Sequence, residues 1–135
     1  MLIMIVNGEE RNLLKATRGQ LELALSTKIT QWEKDYLGRG SVSCKCDLIR
    51  DMAIVTLDGI LTKAEMELSK DRSGREQTKK FRNDLVESGR HDLEQMVYEI
   101  LQTSLVSIHT DISTKTGERV IVFKLSDPWD HAQKD

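Results

Sequence analysis

The sequence predicts an α+β fold, a two-layer sandwich with helices on one face of a four-stranded, mainly antiparallel sheet. Residues 42–57 and 106–125 each alternate apolar and polar side chains on either side of a turn, which is typical of a β-hairpin. The segments before and between them carry apolar residues at helical spacing and begin with capping boxes. The order helix, hairpin, helices, hairpin is most simply satisfied by one layer of helices packed on one sheet.

The composition indicates a single globular domain. The chain has 135 residues, of which 39% are hydrophobic and 31% charged, so a core can form without disulfides or metal. The net charge of −2 gives no general attraction to nucleic acid, and no apolar run approaches the ~18 residues of a membrane helix. We expect a cytoplasmic protein without direct membrane insertion, with residues 1–16 as an extension, 17–126 as the domain and 127–135 as a flexible tail.

The first predicted helix begins after Thr17 and runs to about Leu37. Thr17 and Gln20 have the spacing of a capping box, and Gly38 lies where a C-cap glycine belongs. The apolar stripe of this helix consists of Leu21, Leu25, Ile29, Trp32 and Tyr36.

The first hairpin follows, with Arg50-Asp51 as its tight turn. Its core-facing residues are predicted to be Val42, Cys44, Cys46 and Leu48 on one strand and Ala53, Val55 and Leu57 on the other. This assignment leaves Met52 and Ile54 on the opposite face of the sheet.

Two capping boxes predict where the middle helices begin. One joins Thr62 to Glu65, and another joins Ser73 to Glu76, so a short helix should precede a long one. The apolar stripe of the long segment, to about residue 102, consists of Phe81, Leu85, Leu93, Met96, Val97, Ile100 and Leu101. The stripe shifts by about one residue around Gly89, which predicts a kink or break there.

The second hairpin is turned at Gly117, where a left-handed residue is favoured. On its first strand Val106, Ile108, Thr110 and Ile112 share one face, and Ser107, His109 and Asp111 share the other. On its second strand Ile121, Phe123 and Leu125 face the core, and Val120, Val122 and Lys124 face away.

Four blocks of this sequence resemble the MpsC family of small bacterial proteins. They are Tyr36-Leu-Gly-Arg-Gly40, Asp51-Met-Ala-Ile-Val55, Gly59-Ile-Leu-Thr-Lys-Ala-Glu65 and His109-Thr-Asp-Ile-Ser-Thr-Lys-Thr-Gly-Glu-Arg-Val-Ile-Val-Phe123. The resemblance covers about residues 17–125 and departs from the family pattern at His91, where a proline would start a new helix. The family is named after a sodium-translocating, membrane-potential-generating system linked to inorganic-carbon uptake. The resemblance therefore implies a link to membrane transport and brings no established catalytic residues.

Three polar features could carry chemistry. His109 and Asp111 point the same way as Ser107, but the spacing implies no oxyanion hole, so we expect an exposed or interfacial sheet face rather than a hydrolase. The turn 113–117 could hold a phosphate through backbone amides, although it is not a P-loop and ordinary turn chemistry explains its glycine. Cys44 and Cys46 share a strand face, about 6.5 Å apart, as two small buried residues. We expect no metal and no cofactor.

The preferred interpretation is a non-catalytic accessory protein that binds partners, with membrane transport subunits among them, and so is held at the membrane indirectly. The apolar residues Met52, Ile54, Val120 and Val122 predict the face of a homodimer, unless residues 1–6, which are apolar, cover it. The alternative is a small ligand-binding module or enzyme at the second hairpin. Its candidate contacts are Arg39, His109, Asp111, Thr114, Lys115, Thr116, Gly117 and Arg119.

Overall fold

Two β-hairpins join side by side in the computed structural model, which describes residues 16–131. The first hairpin consists of β1 (Ser43–Ile49) and β2 (Met52–Asp58), and the second of β3 (Leu105–Ile112) and β4 (Arg119–Leu125). β2 pairs with β4, so the strand order is β1-β2-β4-β3 and all neighbours are antiparallel. The predicted α+β fold is confirmed. The second strand of each hairpin lies at the centre of the sheet.

Helix α1 (Arg18–Trp32) begins as predicted. The amide of Gln20 donates to Thr17 Oγ1 at 3.2 Å, and the amide of Thr17 donates to Gln20 Oε1 at 2.9 Å. The helix continues into a π-helical turn, Glu33–Leu37, and stops at Gly38, whose φ of 88° is left-handed. A π turn changes which side chains face inward, and here its first residue, the charged Glu33, is buried.

Helices α2 (Lys63–Leu68) and α3 (Arg72–Ser88) follow β2. The predicted capping box of α2 is present, but the one predicted at Ser73 is wrong, because Asp71 caps α3 by accepting from the amide of Gly74 at 2.8 Å. Gly74 packs so closely on the end of α2 that a Cβ would lie 1.6 Å from the carbonyl oxygen of Leu68. The helix therefore starts earlier than the Ser73 pattern indicated.

The predicted break in the long helix is confirmed, since α4 (Arg90–Leu101) starts directly after Gly89. Gly89 packs against the indole of Trp32, and a Cβ there would lie 2.5 Å from Cζ2 of that ring. The break thus occurs where α1 presses its largest side chain against the α3–α4 junction. It needs no proline at His91.

The face of the sheet that packs on the helices is the predicted core face, with two corrections. Val42 is 82% exposed because β1 begins only at Ser43. Val106 is 56% exposed because a β-bulge between Leu105 and Ser107 rotates it out of the alternation. Among the residues assigned to the apolar stripes of the helices, Phe81 and Tyr36 are exposed. The remaining strand residues assigned to the core are buried or packed against it, except the half-buried Thr110.

Past β4, Trp129 packs against the core, and its amide donates to the carbonyl of Arg50 at 2.8 Å. Ordered contacts therefore extend into the predicted tail. The predicted extension, apart from Ala16, and residues 132–135 lie outside the described residues. Within residues 16–131, none of the helices is both long and apolar enough to cross a membrane.

Candidate functional site

The sheet face away from the core, here called the open face, consists of rows of side chains that cross all four strands. Residues directly paired across antiparallel strands point to the same side, so the register defines these rows. The central row is Asp47, Ile54, Val122 and His109. The row on one side of it is Lys45, Thr56, Val120 and Asp111, and the row on the other side is Ile49, Met52, Lys124 and Ser107. Every one of these side chains is exposed or half-buried.

The centre of the open face is apolar. Ile54 and Val122 are paired neighbours on the central strands β2 and β4, with Met52 and Val120 beside them on the same two strands. All four predicted dimer-face residues therefore lie in one continuous patch. Each is half-buried by its neighbours within the sheet, and the charged members of the rows lie mainly on the edge strands.

The polar residues of β3 do not form a catalytic arrangement. Asp111 Oδ1 pairs with Lys79 Nζ at 3.1 Å and accepts from the amide of Ile112 at 2.8 Å. These two contacts, the amide first, hold the pKa of the Asp111 carboxyl below its ordinary value. His109 Nε2 lies 3.0 Å from Ser107 Oγ. In the part of the chain that the structure describes, Asp111 is thus engaged away from His109 and does not orient that imidazole as a triad carboxylate would.

The turn after β3 uses its own backbone amides. Gly117 has a φ of 76°, as its predicted left-handed role requires, and its amide donates to the carbonyl of Ser113 at 2.8 Å. The amides of Thr116 and Glu118 donate to the hydroxyls of Ser113 and Thr116, respectively. Three of the donors that a phosphate would need are therefore already occupied. Thr114 is half-buried and Lys115 is exposed.

Arg39 is connected to this turn only through a loop. Its Nη1 donates to the carbonyl of Ile60 and its Nη2 to the carbonyl of Gly59, both at 3.2 Å. The amide of Ile60 then donates to the carbonyl of Gly117 at 3.2 Å. The guanidinium of Arg39 therefore braces the loop between β2 and α2.

Arg119 is the candidate residue whose position differs most from a surface site. It lies on the helix-covered face, in phase with Ile121 and Phe123, and is 3% exposed. Its Nη1 donates to Asn83 Oδ1 at 2.9 Å and to Thr110 Oγ1 at 2.7 Å, whereas its Nη2 is buried without a partner. Burial lowers the pKa of the guanidinium to about 10.

A small cavity of about 20 Å³ adjoins Arg119 under the helices. Its polar lining, here called the buried cluster, is Trp32, Glu33, Arg82 and Arg119, and its apolar lining is Leu37, Leu57, Ile60, Val86 and Ile121. The alternation of β4 could have identified Arg119 as inward-facing. The burial of Glu33 depends on the π turn, for which the sequence carried no recognised signal.

Two acidic residues accompany these arginines. Arg82 forms a two-point ion pair with Glu65, with Nε–Oε2 at 2.7 Å and Nη2–Oε1 at 2.5 Å. Glu33 is 4% exposed, and its Oε1 accepts from the amide and the hydroxyl of Ser41 at 3.3 and 3.0 Å. Burial raises the pKa of the Glu33 carboxyl above its ordinary value, against the opposing effect of the Ser41 hydrogen bonds.

The two cysteines are free thiols on the inner face of β1. Cys46 is buried and Cys44 half-buried, and desolvation raises the pKa of Cys44 to about 11 and that of Cys46 further. Among residues 16–131, no three His, Cys, Asp or Glu side chains come together as metal ligands could.

The candidate contacts therefore occupy three separate places. His109 and Asp111 lie on the open face, the turn and Arg39 lie at one end of the sheet, and Arg119 lies inside the protein. Two candidate functional sites remain: the open face on the surface and the buried cluster inside the protein.

Comparison with known proteins gives a family match. The family model described as "Na+-translocating membrane potential-generating system (MpsC)" matches residues 17–127. The uncharacterized protein YbcI of Bacillus subtilis (strain 168) is 51% identical over 112 residues, which cover 83% of this chain and 90% of that protein. No solved structure is significantly similar to the chain.

Proposed function

This chain belongs to the MpsC family, and from that premise we propose that it is a non-catalytic accessory protein of a membrane transport system. It acts in the cytoplasm by binding other proteins, the first of them a second copy of the chain on the open face, and it reaches the membrane through a further partner. The description of the family supports the link to transport, since it names a Na⁺-translocating system that generates membrane potential.

The observation that carries this proposal is the apolar centre of the open face. A sheet face that meets water normally presents polar residues at alternate positions. Here Met52, Ile54, Val120 and Val122 form one patch instead, on the side of the sheet that no described helix covers. Completing the burial of each side chain would contribute part of the roughly 1.5–3 kcal/mol of full burial, before association entropy is subtracted.

The partner on this face is a second copy of the chain. The rows are self-complementary about a two-fold axis that runs between β2 and β4, parallel to both strands. Such an axis places each row of one copy over the same row of the second copy, in reverse order. Lys45 then lies over Asp111 of the second copy, because these two residues end the same row. The central row brings Asp47 over His109 and Ile54 over Val122 in the same way.

A two-fold axis perpendicular to the strands fits less well. It would place Asp47 over Asp47, and like charges that face each other disfavour association. Aligned sheets pack about 10 Å apart, with the strands of one sheet rotated by about −30° relative to those of the other. Residues near the axis therefore stay opposite each other, whereas residues on the edge strands shift by a few ångströms. The flexible side chain of Lys45 can span such a shift.

The dimer is tested by measuring mass by light scattering during size-exclusion chromatography at micromolar protein. We expect the wild type to be a dimer and Ile54→Asp to be a folded monomer. Leu23→Asp, which changes an exposed apolar residue of α1, is the matched control and should remain dimeric. A wild-type monomer that stays monomeric after residues 1–15 are deleted would rule out the dimer. Association that appears only after this deletion would show that the segment itself covers the open face.

The direction of the axis is tested by exchanging charges. Lys45→Asp and Asp111→Lys should each weaken the dimer by placing like charges opposite each other, and the double variant should restore it. Equal weakening by the single and double variants would exclude the axis parallel to the strands.

The accessory role is tested in cells that lack the protein, with a potential-sensitive dye as the readout. Wild type and Leu23→Asp should restore the membrane potential to the same level, whereas Ile54→Asp should not. If Ile54→Asp restores the membrane potential at normal protein abundance, the open face is not required for the function.

Ligand binding is the second candidate function, and a different observation favours it. The cavity beside Arg119 is lined by the charged groups of Glu33, Arg82 and Arg119, whereas the surface turn has few free donors. Among the described residues, neither the cavity nor the turn pairs a nucleophile with an oriented base.

A further inference from the structure

Arg119 is a buried cation that no carboxylate among the described residues contacts, although Glu33 and Asp111 attract it from a distance. In the described part of the chain, its hydrogen-bond partners are the neutral oxygens of Asn83 and Thr110, and no carboxylate forms an ion pair with it. Arg82, the other arginine of the buried cluster, is neutralised by Glu65. Buried charges in proteins are normally paired, since an unpaired one loses its favourable hydration without compensation.

The missing partner must be a hydrogen-bond acceptor. Arg119 Nη2 and Trp32 Nε1 are buried N–H groups without an acceptor, and both residues line the same cavity. Such groups are rare in folded proteins, and a bound water or ion is a common explanation for them. The cavity of about 20 Å³ has room for a species of about the size of one water molecule.

We propose that this cavity binds a small monovalent inorganic anion, of which chloride is the representative, as the counter-ion of Arg119. A water molecule would satisfy Nη2 but would leave the guanidinium without a counter-ion in contact. An anion does both, because a charge-assisted hydrogen bond is roughly twice as strong as a neutral one.

Size and charge limit what the cavity can bind. Sulfate and phosphate have five heavy atoms, which do not fit a space of about 20 Å³. Glu33 on the cavity wall adds negative charge when ionised, which weakens the binding of any anion and that of multiply charged anions most. The apolar walls, which include Leu57 and Val86, favour an ion that gives up its hydration easily. The site lies on the helix-covered side of the sheet and is independent of the proposed dimer.

The test compares thermal unfolding of the full chain in sodium chloride and in sodium gluconate at constant ionic strength. A ligand that binds only the folded state raises the unfolding temperature with its concentration. We expect chloride to stabilise the wild type progressively while Arg119→Met responds equally to both salts. Arg72→Met removes an exposed arginine of α3 and is the matched control, so it should retain the chloride response of the wild type.

Direct binding is measured by the broadening of the ³⁵Cl NMR signal by folded protein. Bromide should compete with chloride and reverse the broadening, whereas sulfate at equal ionic strength should not. This measurement uses the wild type, so it remains decisive even if Arg119→Met fails to fold. A wild type that responds equally to chloride and gluconate, with no competable broadening, would overturn the proposal and leave a buried water as the partner of Nη2.

Discussion

The two faces of the sheet use alternate residues of the same four strands, yet each departs from its general character in the opposite direction: the apolar face contains a charged residue, and the polar face contains an apolar patch. The inner face is apolar throughout its centre, with Val55 and Phe123 fully buried, and its exception is the charged Arg119. The open face is charged along its edge strands, and its exception is the apolar patch around Ile54 and Val122. Each face thus contains residues that would suit the other face. Such violations of the local pattern are expected where function opposes stability.

The largest contrast between the faces should appear in two adjacent residues of β4. Phe123→Ala removes a fully buried ring and should lower the unfolding free energy by about 3–5 kcal/mol. Val122→Ala, one position away on the open face, should lower that of the monomer by less than about 1 kcal/mol. Urea unfolding of both variants in the Ile54→Asp background isolates the folding of the monomer. Comparable losses would mean that the open face is as fully packed as the inner face.

Arg119 offers the second contrast, between two substitutions at one site. Arg119→Ala leaves a cavity and removes the donor to Asn83 and Thr110, so it should lower the unfolding free energy by about 2–4 kcal/mol. Arg119→Met keeps most of the volume without the charge and should lower it less, or even raise it, as for other buried ions replaced by apolar residues. Chemical denaturation in gluconate, where no small halide is present, measures this difference. A loss in Arg119→Met as large as that in Arg119→Ala would show that the charge and its hydrogen bonds, rather than the filled volume, stabilise the fold.

The pH dependence of stability should distinguish the buried carboxylate from exposed ones. Because burial raises the pKa of Glu33, the folded state holds this proton more tightly than the unfolded state. The stabilisation from this protonation is complete below the ordinary pKa and is lost as pH rises through the folded pKa. Glu33→Gln removes this loss and can still accept from Ser41, so its stability relative to the wild type should increase from pH 4 to pH 7. Glu99→Gln, at an exposed position of α4, is the control.

For Glu33, the measurement is urea unfolding at several pH values in gluconate. If the stability of Glu33→Gln relative to the wild type falls as pH rises, the neighbouring arginines lower the pKa of Glu33 more than burial raises it.

Local signals predicted most of the fold, because they depend on residues close in sequence. The capping boxes at Thr17 and Thr62, the break at Gly89 and the alternation of both hairpins all belong to this class. The strand order depends on the pairing of β2 with β4, between residues more than sixty positions apart, and no local pattern encodes it. The bulge that exposes Val106 likewise arises from a mismatch between two strands.

The candidate site could be predicted less well. The apolar patch followed from alternation, and the structure places its four residues together as expected. The inward position of Arg119 was encoded in the same alternation, but its charge suggested the surface turn. Its proximity to Glu33 and Arg82 could not be derived, because three elements and a π turn bring these residues to one cavity.

The smallest contrast lies within the inner face, between Cys44 and Cys46 on the edge strand β1. Both point toward the helices, but Cys46 is buried and Cys44 only half-buried, so the pair marks where the core ends. Thiolate is the reactive form, and a pKa of about 11 for Cys44 leaves about one thiol in a thousand ionised at pH 8. We expect a disulfide reagent to label Cys44 slowly and Cys46 only at the rate of unfolding, with Cys44→Ser and Cys46→Ser identifying each thiol. Rapid labelling of both thiols in the native protein would contradict the assignment, because it would require this end of the inner face to open to solvent as readily as the open face.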